Sequence, residues 1–519
     1  MIDLLLENAV LPLADAPADA VAITAGRIVA VGHGAQLRRE LAPKRTIDLA
    51  GRTLLPGFND AHLHVWKVGH LLTSLADLRD AESLPEVRRR LTAPMRADGE
   101  WVLGRGVNEL RLAEGRLPTR GELDGWFPDR PVWVTRVCNH FGIANSAALR
   151  VVGVDRNTSA PAGGELRRDA AGEPTGVLTE TAMRLVTDRL PPPSDAALRD
   201  MVRAANQRLL SLGVTAVTDP GVDDRLLAVY EAMSAAGELV GRFNVMRLAP
   251  EDAASDAMAE WTPPRCDERL RIDTAKFFMD GGLSGATAAL STPYRHADTR
   301  GVLRYDRDAY AVLCRKTEAA GYRTATHVIG DRAIATALDA YEALPRIAKR
   351  ARFEHFGLPT GHDLVRTARL GIGVATQAIF LPELGANFRE YLPEDFPVTP
   401  YPIRTMLEVG LNVALSTDAP VVRDERPLAG VAAAVGRRCG DGAPMGPDET
   451  ITLRDGLLAY TAAGAKLSGD DDRFGAIRTG LLADLVVLDR SPLEEPVDSL
   501  MEIGVTMTLV NGEVVFERE

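Results

Sequence analysis

Between residues 212 and 416 short β-branched runs alternate with helical stretches, and this alternation constrains the fold more than any other feature of the chain. Leu212–Thr218 follows a helical stretch at Ala196–Leu210, and Phe243–Leu248 follows one at Asp224–Ala236. Ile272–Met279 comes next. Arg323–His327 follows Asp306–Ala320, Ala351–His355 follows Arg332–Leu344, Gly373–Thr376 follows Asp363–Leu370, and Asn412–Ser416 follows Ile403–Val409. Strands repeatedly separated by helices pair in parallel, because a crossover must carry the chain back before the next strand starts. With Thr53–Pro56 as the first, the strands number eight, which predicts an α/β chain folded as a (β/α)8 TIM barrel.

The two ends of the chain read differently. Val21–Thr24 and Arg27–Val31 flank Ala25-Gly26 as a hairpin, and Val505–Val510 and Glu513–Phe516 flank Asn511-Gly512, a strong two-residue turn. Two β-rich ends around a long middle predict a small β-sandwich built from both termini. One connection breaks the barrel rhythm: about 140 residues separate His64 from Leu212, too many for a bare loop. They carry their own helix (Leu84–Ala97) and strands (Trp101–Gly104, Pro131–Val137, Gly164–Arg168), and so predict an inserted α+β subdomain after strand 1, over the face that bears the histidines. The expected division is 1–54 for the first part of the sandwich, 55–66 for barrel strand 1, 67–205 for the insertion, 206–468 for the rest of the barrel and 469–519 for the second part of the sandwich. Residues 380–402, rich in Pro, Phe and Tyr, read as a long loop after strand 7, either a lid or a surface crossover.

Barrel chemistry belongs to the C-terminal ends of the strands. There the chain offers His62 and His64 in LLPGFNDAHLH, Lys276 in TAKFFMDGG, His327 in TATHVIGD, His355 in ARFEHF and Asp418 in NVALSTDAP. Residues i and i+2 of a strand share a face, so His62 and His64 can aim at one ion. Singly, each has an ordinary reading: His327 as a core histidine, His355 as an ordinary helix or strand partner, Asp418 as a turn residue or cap. Jointly, they are an imidazole and carboxylate set of the kind that binds zinc-like ions. Lys276 cannot ligate as an ammonium. Burial lowers its pKa, and the neutral amine can take up carbon dioxide as a carbamate, whose two oxygens can bridge two ions.

Net charge is −12, from 60 basic and 72 acidic residues, which argues against nucleic acid or an anionic membrane as partner. The four cysteines show no metal-finger spacing and imply no disulfides. The start, MIDLLLENAV, lacks a basic region and does not read as a signal peptide, and no apolar run is long enough to span a membrane. The expected location is cytoplasmic.

The set of strand-end residues resembles the amidohydrolase superfamily, and more narrowly amidohydrolase family 3 in its YtcJ-like branch. The matching stretches are LPGFNDAHLH, RPVWVTRVCNHFGIANSAAL, GEPTGVLTETA, KFFMDGGLSGATAAL, THVIGDRAIATALDAYE, RFEHF, LSTDAPV and FGAIRTGLLADLVVLDRSP, which together run through nearly the whole chain. The resemblance implies a metal-dependent hydrolase. It assigns His62, His64 and Asp418 to one divalent ion, expected to be zinc, and His327 and His355 to a second, with carbamylated Lys276 bridging; a single ion is the alternative. It departs from the family at Cys138-Asn139-His140, where Asp-Gly-His is frequent, and at Gly285-Ala286-Thr287, where an Arg is frequent. Both departures bear on substrate rather than on metal.

The expected reaction is hydrolysis of an amide, formamide or carbamate C–N bond of a small molecule by a metal-bound hydroxide. Asp418 is expected to act as general base and then acid. His140 is the expected oxyanion donor from the insertion, Trp66 and Asp280 the expected substrate-pocket residues, and Asp331 the expected cap of the helix at Arg332. A homodimer is expected from the family alone. Two other readings stay open: a mononuclear deaminase, against which stands the lack of a Glu after His327, and a non-enzymatic scaffold, against which stands the full ligand set.

Overall fold

The structure, a computed structural model, describes residues 1–93, 101–136, 141–161, 163–295 and 298–518. They form two compact units, one of Met1–Val65 with Asn206–Glu519 and one of Trp66–Ala205.

In the first unit eight parallel strands are hydrogen-bonded in chain order: Phe58–Asp60, Val214–Val222, Arg242–Leu248, Leu270–Phe278, Arg323–Val328, Arg352–His355, Gly373–Thr376 and Val413–Leu415. The last returns to the first. Ala61 N–H donates to Leu415 O at 3.4 Å, Asp418 N–H to His62 O at 2.8 Å and His64 N–H to Ala419 O at 3.0 Å. The result is a nearly closed eight-strand parallel barrel. Helices between the strands begin and end on local signals. Asp306 caps Arg307–Ala319. Thr360 and Asp363 form a capping box on Gly361–Leu370, and Gly371 closes that helix in the left-handed conformation.

The first barrel strand is not where the sequence puts it. Thr53–Pro56 pairs antiparallel with Leu485–Leu488, and the barrel begins at Phe58. Gly57 alone separates the two strands. A Cβ there would lie 2.2 Å from the Thr215 hydroxyl, so the crossing from one sheet to the other is open only to glycine. His62 and His64 likewise lie in irregular backbone just beyond the strand, not at alternate positions within it.

Two four-stranded sheets flank the barrel. One orders Arg27–Gly32, Ala20–Thr24, Ile2–Glu7 and Pro43–Asp48; the other orders Glu513–Glu517, Val505–Val510, Leu485–Leu488 and Thr53–Pro56. Leu4, Leu6, Val21 and Ile23 of the first share one buried core with Leu54, Leu485, Val487 and Leu509 of the second.

Residues 380–391 are a helix, Phe380–Tyr391, where the sequence suggests loop. Its buried residues Phe380, Leu381, Gly385 and Phe388 fall on one helical face, and Pro382 stands in the first turn, where no backbone donor is needed.

The second unit holds a six-stranded sheet in the order Gly164–Arg168, Pro174–Glu180, Phe141–Ala144, Val132–Arg136, Val102–Val107 and Leu75–Asp77. Helices Leu84–Thr92 and Arg120–Trp126 start on capping residues Ser83 and Thr119. Among the described residues no helix is long and apolar enough to cross a membrane.

Candidate metal centre

The C-terminal ends of the first and eighth barrel strands bring His62, His64 and Asp418 together, with one ligand atom of each within 4.8 Å of the others. Asp418 Oδ1 lies 3.5 Å from His62 Nε2 and 3.3 Å from His64 Nε2. Asp60 holds the frame beneath them. Its buried carboxylate accepts from His62 N–H at 3.1 Å, Thr417 N–H at 3.2 Å and the Thr417 hydroxyl at 2.6 Å, tying the first strand to the eighth. Burial pushes Asp60 up to about 7.

The remaining imidazoles close the ring. His355 packs against His62 with ring centroids 4.8 Å apart, and His327 against His355 at 4.4 Å. Asp418 and His355 both adopt left-handed backbone, with φ of 56° and 71°, an uncommon conformation for such residues that bends each strand end and re-aims the side chain. Each of three imidazoles has a fixed partner on one nitrogen. His62 Nδ1 meets Glu354 Oε2 at 2.5 Å, His355 Nδ1 meets Gln377 Oε1 at 2.8 Å, and His327 Nε2 meets the Gly281 carbonyl at 3.1 Å. Each partner accepts a proton from its ring nitrogen, which leaves the opposite nitrogen, Nε2 of His62 and His355 and Nδ1 of His327, with a free lone pair.

Electrostatics keep these rings neutral. Burial, then the charge of Lys276, drives His62 well below the usual imidazole value; burial with His355 and Lys276 does so for His327, and burial with His62 and Lys276 for His355. Burial raises Asp418, but the contact with His64 and the charge of Lys276 outweigh it, so its net shift is downward and it stays a carboxylate. Lys276 is buried in the fourth barrel strand, with Nζ 4.8 Å from the centre of the Phe278 ring. Burial lowers its amine to about 8. Among the described residues neither Lys276 Nζ nor Asp418 Oδ1, both buried, has a hydrogen-bond partner, a costly state for a polar atom, and one that a bound cation would relieve at Asp418. The donor set of neutral imidazoles and a carboxylate fits a divalent ion of the zinc type.

Of the other residues singled out by the sequence, Asp280 borders the site, with Oδ1 3.5 Å from His327 Nε2. Asp280 is buried and accepts the backbone N–H groups of Ala289 (2.9 Å), Ile329 (3.0 Å) and Gly330 (2.8 Å), so it pins the loops after the fourth and fifth strands; burial pushes it up to about 7. Trp66 opens the second unit and stacks on His70 at 6.3 Å. His140 lies outside the described residues. Asp331 does not cap its helix: Gly330 is the cap position, and the Asp331 carboxylate takes the Ser291 N–H and hydroxyl instead. Sequence reasoning passed over Asp60, Arg352 and Gln377. The one local sign of them was polar residues set in otherwise apolar strand runs.

A sequence model of the amidohydrolase family matches residues 45–516. The N-substituted formamide deformylase of Arthrobacter pascens is 32% identical, with 100% of this chain and 99% of that protein aligned. The putative amidohydrolase YtcJ of Bacillus subtilis is 29% identical over 96% of each. Among solved structures, an uncharacterized metal-dependent hydrolase from Pyrococcus horikoshii superposes with a TM-score of 0.79 at 26% identity, covering 95% of this chain and 99% of that one.

Proposed function

Since the chain belongs to the amidohydrolase family and is a hydrolase acting on carbon–nitrogen bonds, we propose that it cleaves the C–N bond of a small N-substituted formamide, amide or carbamate. The observation that supports this best is the convergence of His62, His64 and Asp418 beside a buried amine, Lys276, that has no hydrogen-bond partner among the described residues. His62, His64 and Asp418 would hold one divalent ion, zinc, and His327 and His355 a second, with Lys276 bridging as its carbamate. Bound there, the metal supplies Lewis acidity, activating water and polarising the substrate carbonyl.

The chain's own residues do the rest. Asp418, buried and ionised, faces the two imidazoles with a free oxygen lone pair. It orients the attacking water, takes its proton and returns it to the departing nitrogen, so that the amide and water become a carboxylic acid and an amine. Asp60 keeps the first and eighth strand ends in register, so that the water, Asp418 and the carbonyl meet in one place. Asp280 shapes the pocket wall by fixing the loops after the fourth and fifth strands. The substrate is a small molecule, and the location is cytoplasmic.

The test is a hydrolysis screen with zinc-reconstituted protein against N-substituted formamides, amides and carbamates, alongside metal analysis. Amine release, about two ions per chain and loss of turnover in His327→Ala and Asp418→Ala are expected. Turnover that survives both substitutions would remove this site from the reaction, and ammonia release with a single ion would replace the reading with a deaminase.

A further inference from the structure

The three imidazoles with fixed partners lean on chemically different groups. Behind His355 is the neutral amide of Gln377; behind His327 the hydrogen-bond partner is the neutral carbonyl of Gly281, with the Asp280 carboxyl 3.5 Å from the same nitrogen but engaged by the backbone N–H groups of Ala289, Ile329 and Gly330. Behind His62 is a carboxylate, Glu354, fully buried. Arg352 Nε donates to Glu354 at 2.5 Å and its Nη2 at 3.1 Å, and the same Nη2 donates to Ala61 O at 2.7 Å, the carbonyl of the residue just before His62. One guanidinium therefore grips both the carboxylate that orients the His62 ring and the backbone that carries it.

Adjacent residues of a strand normally face opposite sides. Glu354 and His355 nevertheless both reach His62, one by hydrogen bond and one by ring contact, because the left-handed turn at His355 swings its side chain back into the barrel. The sixth strand end thus supports one ion position through Glu354 and supplies a ligand to the other through His355. A buried carboxylate behind an imidazole fixes the ring and makes it a stronger donor. A neutral carbonyl fixes the ring without adding charge.

We propose that Glu354 and Arg352 are positioning residues that make the His62–His64–Asp418 position the tighter of the two, so that it fills first, while the His327–His355 position fills second and exchanges faster. This rests on the two-ion reading above.

The experiment is titration of metal-free protein with zinc against a chromophoric chelator. Wild type should take up two ions in separated steps. Glu354→Gln keeps the shape and an accepting oxygen but removes the charge, and should weaken the first step about 10- to 100-fold while leaving the second in place. Because that change strands Arg352 without its anion, the double variant Arg352→Gln/Glu354→Gln removes both charges together and should keep the weakened first step. An unchanged first step in Glu354→Gln, or its recovery in the double variant, overturns the proposal. Independently of any variant's folding, anomalous scattering from wild-type crystals grown with one equivalent of zinc should place the ion at His62, His64 and Asp418; a first ion at His327 and His355 overturns it equally. A single uptake step weakened by Glu354→Gln would end the two-ion reading while the role of Glu354 stands, and no uptake at all would end both.

Discussion

Lys276 is a buried amine whose pKa of about 8 lies below the ordinary lysine value of 10.5 because burial disfavours the ammonium. The unfolded chain therefore binds more protons than the folded one between about 8 and 10.5, and stability rises with pH across that window. The cost of burying the amine is fully present below about 8 and gone above 10.5. At 1.36 kcal/mol per unit it comes to about 3 kcal/mol. Lys276→Met should accordingly stabilise the metal-free protein in carbonate-free buffer by up to about 3 kcal/mol at pH 7 and by little at pH 10.5, as read from urea midpoints, while losing the second ion. Asp418→Asn, which keeps volume but cannot carry the proton, should lower turnover by about 10²–10⁴-fold with its thermal midpoint little changed. At this scale the sequence exposes the ligating residue types, because a barrel displays its chemistry at strand ends. It does not expose their partners. Glu354 meets His62 from 292 positions away, and Thr417 meets Asp60 from 357 away, pairings that only closure of the barrel creates.

Elements were legible where one period dominated. The strands ending in His327 and His355, with their following helices, lie within a residue or two of where the sequence puts them. Two abutting strands are not legible in this way. Thr53–Pro56 and Phe58–Asp60 form one apolar run broken only by Gly57, and nothing local says that the chain changes sheets there. Nor is Phe380–Tyr391 legible, where Pro382 and Gly385 hide a helical face; that helix stacks Phe380 on His355 with centroids 6.2 Å apart. The loops beyond the fourth and fifth strands depend on close approach at Gly330, where a Cβ would stand 1.9 Å from Ala289 O. Gly330→Ala must push apart the backbone that Asp280 holds together. It should cost about 1–3 kcal/mol by thermal unfolding and weaken zinc binding at the His327 position more than at the His62 position.

Across the first unit, the barrel and the terminal sheets are joined by a buried ion pair. Arg242, at the start of the third barrel strand, donates from Nε to Asp484 Oδ2 at 2.5 Å and from Nη2 to Asp484 Oδ1 at 2.9 Å and Asn511 Oδ1 at 2.6 Å. Removing the cation leaves Asp484 buried and unpaired, so Arg242→Ala should destabilise the protein by about 3–5 kcal/mol in denaturant unfolding, more than loss of an exposed pair such as Lys44–Asp3. Pairing of Thr53–Pro56 with Leu485–Leu488 has a temporal consequence. On a translating ribosome, at about 5–20 residues per second, the early strand waits on the order of a minute before its neighbour is even made. During that interval its apolar edge is bare, and a cell that makes this protein must shelter an early strand whose sheet cannot be finished until the last strands emerge.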